Sequence, residues 1–296
     1  MKVVKSIKVD TVTKKEIFND YSDDFPCMIN QANLDEYGVL WHWHNAFELF
    51  YMQEGEIEYY TTRGQMTFEK GTGGLVNTNV IHSTKPLSKT ERNIQLLHIF
   101  DSSFIAGGTG NRIDRKYVTP IEKNAQFEII PIKPVSETEK RILSDIKNSF
   151  ALKEDSFGYE IRLRNLLSEI WLNILQLLPD TDDKVKFDKP NYLLKPMLIY
   201  INENYHRKIS VKEIAAAGFV SSRECYRIFR NCLHTSPVEY INEYRLQIAR
   251  QLLCEDNLSI TQISVECGFG SSSFFGKLFR EKYGCSPSEF QNQIKN

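Results

Sequence analysis

Four side chains suited to coordination chemistry fall in the first third of this 296-residue sequence. His42 and His44 lie two apart in "WHWHNAFELFYMQEGE" (residues 41–56), Glu48 follows four residues after His44, and His82 stands eleven residues beyond Gly71. Neutral imidazoles and a carboxylate aimed inward from adjoining strands suit iron, manganese, zinc or nickel. The same groups suit a hydrogen-bonded network in a core, or the polar lining of a pocket for an organic ligand. Trp41, Trp43, Phe47 and Tyr51 would suit stacking on a sugar or other ring-bearing ligand, although most of them fit a wall or core better.

A second set of chemistry-bearing residues lies near the C-terminus and is written twice. Residues 209–240 and 258–290 share one pattern: Ser210 and Ile214 match Ser259 and Ile263 at an offset of 49. From Gly218/Gly268 and Phe219/Phe269 the offset reads 50, through Arg230/Arg280 and Ser236-Pro237/Ser286-Pro287. Such self-similarity marks a repeated structural unit. Each copy reads as helix, turn, helix, opened by the capping boxes Ser210/Glu213 and Ser259/Gln262. Serine clusters then cap a second helix. In that helix Cys225, Ile228 and Phe229, matched by Phe275, Leu278 and Phe279, form a core-facing stripe. The opposite face carries Ser221, Ser222, Arg223, Tyr226, Arg227 and Arg230 in the first copy. In the second it carries Ser271, Ser272, Ser273, Gly276, Lys277 and Arg280. Arg and Lys beside small hydroxyl residues are what reading a DNA major groove requires, and glycine admits close backbone approach. One such face alone reads equally well as an ordinary solvated helix; its duplication favours DNA.

Stepping outward to the elements, residues 38–132 read as closely spaced strands with no helical pattern between them, an antiparallel barrel or sandwich. "FELFYMQ", "EIEYYTT", "GQMTFEK", "GGLVNT" and "IQLLHIF" are its clearest strands. Ser136 and Glu139 then open a helix with Ile142, Leu143, Ile146 and Phe150 on one face. A second helix carries Ile161, Leu166, Leu167, Ile170, Trp171, Ile174, Leu175 and Leu178, apolar enough to need cover on more than one side. Packing on the sheet and a dimer contact are both open. Residues 179–190 lack periodicity and read as a linker. Residues 236–253 form a connecting helix of about 17 residues, roughly 25 Å long. That length could hold the two readers near one duplex turn apart, roughly 34 Å.

The net charge of −1 conceals an asymmetry: residues 186–296 hold 15 basic and 11 acidic residues, residues 1–185 hold 22 and 27. A basic C-terminal third suggests a polyanion partner for that part. The six cysteines (Cys27, Cys225, Cys232, Cys254, Cys267 and Cys285) are scattered without a CxxC pair, as in a reducing cytoplasm. The opening "MKVVKSIKVD" has no apolar core of signal-peptide length, and no run reaches the roughly 20 apolar residues of a membrane span, so a cytoplasmic protein without a membrane partner is expected.

"CGFGSSSFFGKLFREKYGCSPSEF" resembles the signature of the AraC/XylS transcription regulators, and the first copy is a looser version over about 105 residues in all. The resemblance implies that residues 222–230 and 272–280 lie on two recognition helices. The front of the chain is similar to the cupin motifs: His42-x-His44-x3-Glu48-x6-Gly55 follows the first, and Gly71-x10-His82 the spacing of the second. In metal-using cupins those three His and the Glu hold the metal. Asn77, Asn79 and Pro86 depart from the second motif, and the first lacks its leading glycine, which weakens the metal implication. Regulators of this kind commonly keep a cupin-like sensor that takes a small effector without metal.

The expected fold is therefore α+β and multidomain: an antiparallel, cupin-like β-barrel followed by an all-α tandem helix-turn-helix domain. Its parts would be a sensing domain (1–135), a helical dimerisation or connecting segment (136–178), a linker (179–190) and the DNA-binding domain (191–296). The expected function is one-component transcription regulation, with no catalysis, as an activator or repressor. His42, Trp43, His44, Glu48 and His82 would line a pocket for an effector such as a sugar or related metabolite. No cofactor is required, a divalent metal on His42, His44, Glu48 and His82 being the alternative. Double-stranded DNA, RNA polymerase and a second copy in a homodimer are the expected partners. The rival is a metal-dependent cupin isomerase or dioxygenase with a helical appendage, and a helical interaction module without DNA is a third reading.

Overall fold

Strand pairing in the N-terminal unit follows the apolar alternation of its strands. They are β1 (Val3–Val4), β2 (Cys27–Asn33), β3 (Val39–His42), β4 (Phe47–Glu54), β5 (Glu56–Thr61), β6 (Gly64–Glu69), β7 (Gly73–Val76), β8 (His82–Pro86), β9 (Ile94–Phe100) and β10 (Ile129–Ile132). One sheet has the order β1-β2-β9-β4-β7-β10 and the other β3-β8-β5-β6. All pairings are antiparallel except β1 with β2. The computed structural model describes residues 3–4, 24–34, 38–88, 92–124, 126–179, 189–254 and 258–295. Among these no ladder joins the two sheets, so the expected barrel is seen as two facing sheets.

Every residue of β4 up to Met52 is buried, because the strand has a core on each face. Phe50 and Met52 point between the sheets, to Ile57, Tyr59, Phe68, Val76 and Leu97. Phe47, Leu49 and Tyr51 point the other way, into a core shared with Phe100, Ile142, Leu163 and Trp171. A strand buried on both sides reads as a continuous apolar run, which is the texture of "FELFYM". Glu48 has the parity of Phe50 and so lies between the sheets. Gly55, at φ 76, turns β4 into β5, and a Cβ there would stand 2.3 Å from Asn93 Oδ1.

Residues 102–122 depart from the all-strand expectation. They form α1 (Ser102–Ala106), a π-helical turn (Asp114–Val118) and α2 (Thr119–Glu122). These elements are too short for periodicity to reveal them and are fixed by local bonds instead. Asp101 accepts from Ser103 N at 2.8 Å, Gly107 ends α1 at φ 75, and Asp114 accepts from Gly110 N (2.6 Å) and Thr119 Oγ1 (2.9 Å). The Trp171 indole donates to Tyr117 O at 3.0 Å.

α3 (Glu137–Phe150) starts at the expected capping box and buries Ile142, Leu143 and Ile146. α4 (Tyr159–Leu177) buries Leu163, Leu167, Ile170, Trp171 and Ile174 on the same core, while Ile161 is 67% exposed and Leu172 44%. Only one side of α4 is thus covered by its own unit.

A second unit begins at Lys189. Of the expected linker, residues 180–188 lie outside the described residues. α5 (Lys189–Asn204), α6 (Val211–Ala217) and α7 (Ser222–Leu233) form the first helical group. α8 (Pro237–Cys254) connects it to α9 (Ile260–Glu266), α10 (Ser272–Tyr283) and α11 (Pro287–Lys295). α8 runs 18 residues, near the expected length, and packs on α7 at one end and on α9, α10 and α11 at the other.

The repeat is visible bond by bond, and it moves the one-residue offset change. Phe219 N donates to Ala216 O and Val220 N to Ala215 O; Gly268 N donates to Val265 O and Phe269 N to Ser264 O. The structural equivalents are therefore Phe219 with Gly268 and Val220 with Phe269, all still at offset 49. The extra residue falls after Phe269, before the Ser271 cap, rather than before Gly268 as the sequence match suggested. Phe219 accordingly takes the left-handed conformation of Gly268 (φ 54 against 73) and is 94% exposed, whereas Phe269 is buried.

Candidate nucleic-acid interface and buried histidine cluster

β3 and β8 bring two of the four coordinating side chains together, since His42 pairs with His82 across the ladder. His44 follows β3 in a loop held by Asn79 N donating to His44 O at 2.7 Å, and Glu48 comes from β4. One ligand-capable atom from each of these four residues lies within 4.8 Å of all the others, and all four residues are buried. The His42 and His82 rings are 4.1 Å apart, and the His44 and His82 rings 5.2 Å.

Each imidazole is oriented by the same device. Nδ1 of His42 meets Leu40 O at 2.8 Å, Nδ1 of His44 meets Ala46 O at 2.8 Å, and Nδ1 of His82 meets Val80 O at 2.9 Å. A carbonyl only accepts, so each Nδ1 carries a proton. Nε2 of His44 and of His82 approach Glu48 Oε2 at 3.3 and 3.5 Å. The His82 contact has no hydrogen-bond geometry and leaves its Nε2 without a partner. Glu48 Oε1 accepts from Tyr59 OH at 2.5 Å, and Gln95 Nε2 donates to the same phenol oxygen. Burial, then the neighbouring His82 and His44, holds His42 well below the ordinary imidazole range. Burial alone would push Glu48 up, yet its contacts with His44 and His82 hold it well below the usual carboxylate range.

The aromatic residues divide. Trp43 is buried, and Trp41 stacks edge-on against Tyr60 at 6.4 Å. Phe47 packs on Trp171 at 4.8 Å and Tyr51 lies in the same core, so both face away from Glu48 and cannot stack on a ligand beside it. Sequence reasoning did not single out Tyr59 and Gln95, which complete the network. Their signal was weak: alternation of "EIEYY" places Tyr59 inward with Ile57.

In the C-terminal unit the two serine caps form as expected. Ser221 Oγ accepts from Glu224 N and Ser271 Oγ from Phe274 N, each at 3.2 Å. The opposite stripes are buried: Cys225, Ile228 and Phe229 in α7, Phe275 and Phe279 in α10. That leaves Ser221, Arg223, Tyr226, Arg227 and Arg230 exposed in the first copy, with Ser222 half-buried. Ser271, Ser272, Ser273, Lys277 and Arg280 are exposed in the second, with Gly276 half-buried.

These cations differ in what holds them. Arg227 is engaged by Glu224 on its own helix, with Nε to Oε2 at 2.8 Å, and Lys277 pairs loosely with Glu281 at 3.8 Å. The capping bonds to Ser236 and Ser286 hold the carboxyls of Glu239 and Glu289 below the usual range, and Arg230 and Arg280 add a smaller pull in the same direction. Phe274, 44% exposed on the presented face of α10, was missed, although an adjacent Phe274-Phe275 pair on one helix cannot bury both rings on one stripe.

A family described as a helix-turn-helix domain matches residues 214–293. The chain is 24% identical over 268 residues to the HTH-type transcriptional regulator YdeC of Bacillus subtilis, covering 89% of each. It is 29% identical over 122 residues to the HTH-type transcriptional activator RhaS of Klebsiella pneumoniae, covering 41% of this chain and 44% of that one. Among solved structures, ToxT from Vibrio cholerae matches with a TM-score of 0.50 at 15% identity, over 92% of this chain and all of that one, a likeness of fold.

Proposed function

We propose, from the premise that this chain is a DNA-binding transcription regulator of the AraC type, that it acts as a one-component switch. The N-terminal unit takes up a small ligand at the buried His/Glu cluster, and ligand uptake changes promoter occupancy by the two serine-capped helices. The observation that carries this reading is the coexistence in one chain of two matched, exposed basic helices and one buried polar cluster with an unpartnered imidazole nitrogen. RNA polymerase and a second copy of the chain are its proposed partners, the exposed Ile161 and Leu172 of α4 being available to the latter.

The test is binding of the full chain to duplex DNA from directly upstream of its own coding sequence. Binding should be sequence-dependent and should weaken steeply with salt as phosphate counterions are released. Arg223→Ala and Lys277→Ala should each lose affinity. Equal affinity for scrambled DNA, or no dependence on salt, would sink the proposal.

The His/Glu cluster also favours a second reading, a metal-dependent cupin enzyme. His42→Ala separates the two: a regulator keeps its DNA binding and loses only the response to its ligand, whereas an enzyme loses turnover.

A further inference from the structure

The serine-capped helices of the C-terminal unit follow one rule, and α10 breaks it. In α6 to α11 a serine hydroxyl accepts from the amide three residues on; in five of these six helices that residue is Glu213, Glu224, Glu239, Gln262 or Glu289. A side-chain acceptor there can return a bond to the cap, and a carboxylate also faces the positive end of the helix dipole. α10 has Phe274 instead, which does neither, and leaves its ring 44% exposed. An edge-on contact with Phe269, 6.5 Å between centroids, orients that ring without covering it. Gly276, two residues on, is a second departure. Glycine weakens a helix interior, and a Cβ at this position would meet nothing within 4 Å among the described residues. Departures from local rules without a gain inside the fold point to a contact outside it.

We propose that Phe274 is a specificity-determining residue of the second reader, its ring packing on the 5-methyl group of a thymine in the major groove. This deepens the regulator reading and rests on it. The chemistry narrows the target. A phenyl ring has no donor or acceptor for the polar base edges, and the thymine methyl is the apolar group those edges present in the major groove. Lys277 lies one turn along the same face and is exposed, as is Arg280, so cations for the neighbouring phosphates stand beside the ring. Gly276 admits the close approach that such a contact needs. The first reader has Glu224 at the matching position, engaged with Arg227, so the methyl preference belongs to the second reader alone.

The experiment uses the full chain and the upstream duplex, with the protected region located by footprinting. Each thymine in that region is replaced in turn by deoxyuridine, which removes the methyl and leaves the pairing edge unchanged. One or two positions should weaken wild-type binding about fourfold, the worth of one buried carbon. Phe274→Ala should bind the thymine and uracil forms of those positions equally, and Phe274→Leu should keep part of the preference. Phe274→Glu, the residue type of the other capped helices, should lose the preference while the C-terminal unit keeps or raises its urea midpoint, which separates reading from folding. No thymine whose methyl matters, or a methyl effect that survives in Phe274→Ala, would overturn the assignment. So would an equal loss on the upstream and scrambled duplexes, which marks a general contact. Unchanged DNA binding by Phe274→Ala would overturn it too and turn the ring toward a protein partner. In each of these cases sequence-specific binding by the wild type leaves the regulator reading standing, whereas its absence would sink both.

Discussion

Phe219 is the residue whose conformation is hardest to justify by its own unit. It stands at φ 54 where the second copy uses Gly268, and its ring is 94% exposed, so no burial offsets the strain. A bulky residue in the left-handed region costs on the order of 1 kcal/mol or more. Phe219→Gly should therefore stabilise the C-terminal unit by about 1 kcal/mol, read as a higher urea midpoint with an unchanged slope. A lower midpoint would mean that the ring makes contacts its exposure denies. Gly268→Ala should do the reverse, because a Cβ there would stand 2.2 Å from Tyr205 O.

His98 supports a second prediction at the same scale. Its Nε2 meets Ser149 Oγ at 2.5 Å, and Ser149 gives its own proton to Ile146 O, so the ring is a neutral donor. Burial brings its pKa down to about 3. Between the unfolded value near 6.5 and about 3 the unfolded chain binds a proton that the folded chain refuses. Stability supplied by the neutral ring is thus full above pH 6.5 and falls as pH falls, by about 1.4 kcal/mol per pH unit at most. Between pH 7.5 and 5, His98→Gln should lose stability less steeply than the wild type, by up to one proton's worth. Identical slopes would refute a neutral His98. His42, His44, Glu48 and His82 were legible as a set from type and spacing. The tautomers that make them converge were not, because they depend on which carbonyls the loops present.

At the scale of elements, legibility followed the range of the interactions that shape each one. Capping boxes and stripes that close within four residues placed α3, α6 and α9 and the serine-capped α7 and α10. β2 went unseen because its pairing with β9 holds it, and the helices between Ser102 and Glu122 because they are too short to show a period. The outward face of α7 was legible in composition but not in its internal pairing: Glu224 lies on it and holds Arg227. An exposed pair of this kind contributes little to folding, yet it places a negative charge on the surface that the proposed function turns toward phosphates. Glu224→Ala should tighten DNA binding several-fold at low salt and steepen its salt dependence by about one counterion. Unchanged or weaker binding would show that Glu224 positions Arg227 for the groove rather than competing for it.

For the whole molecule, the cores decide how it comes apart. The clusters around Phe47, Phe100 and Trp171 and around Phe50 and Tyr59 draw only on residues before Pro179, and the cluster around Phe275 and Phe279 only on residues after Tyr244. All three tryptophans, Trp41, Trp43 and Trp171, stand in the first unit, whereas the described elements of the second are all helices. Tryptophan fluorescence thus follows the sheet unit, and helical circular dichroism is weighted toward the DNA-binding unit. Phe279→Ala, which removes a fully buried ring, should cost about 3–5 kcal/mol and lower the dichroism transition while leaving the fluorescence transition in place. Trp171→Ala should lower the unfolding of the sheet unit, followed through the two remaining tryptophans. Specific duplex DNA binds only the folded readers, so at about 100 times its dissociation constant it should stabilise them by about 2.7 kcal/mol. It should raise the transition that Phe279→Ala lowers. A single transition that responds equally to both substitutions and to DNA would show that the two cores unfold as one.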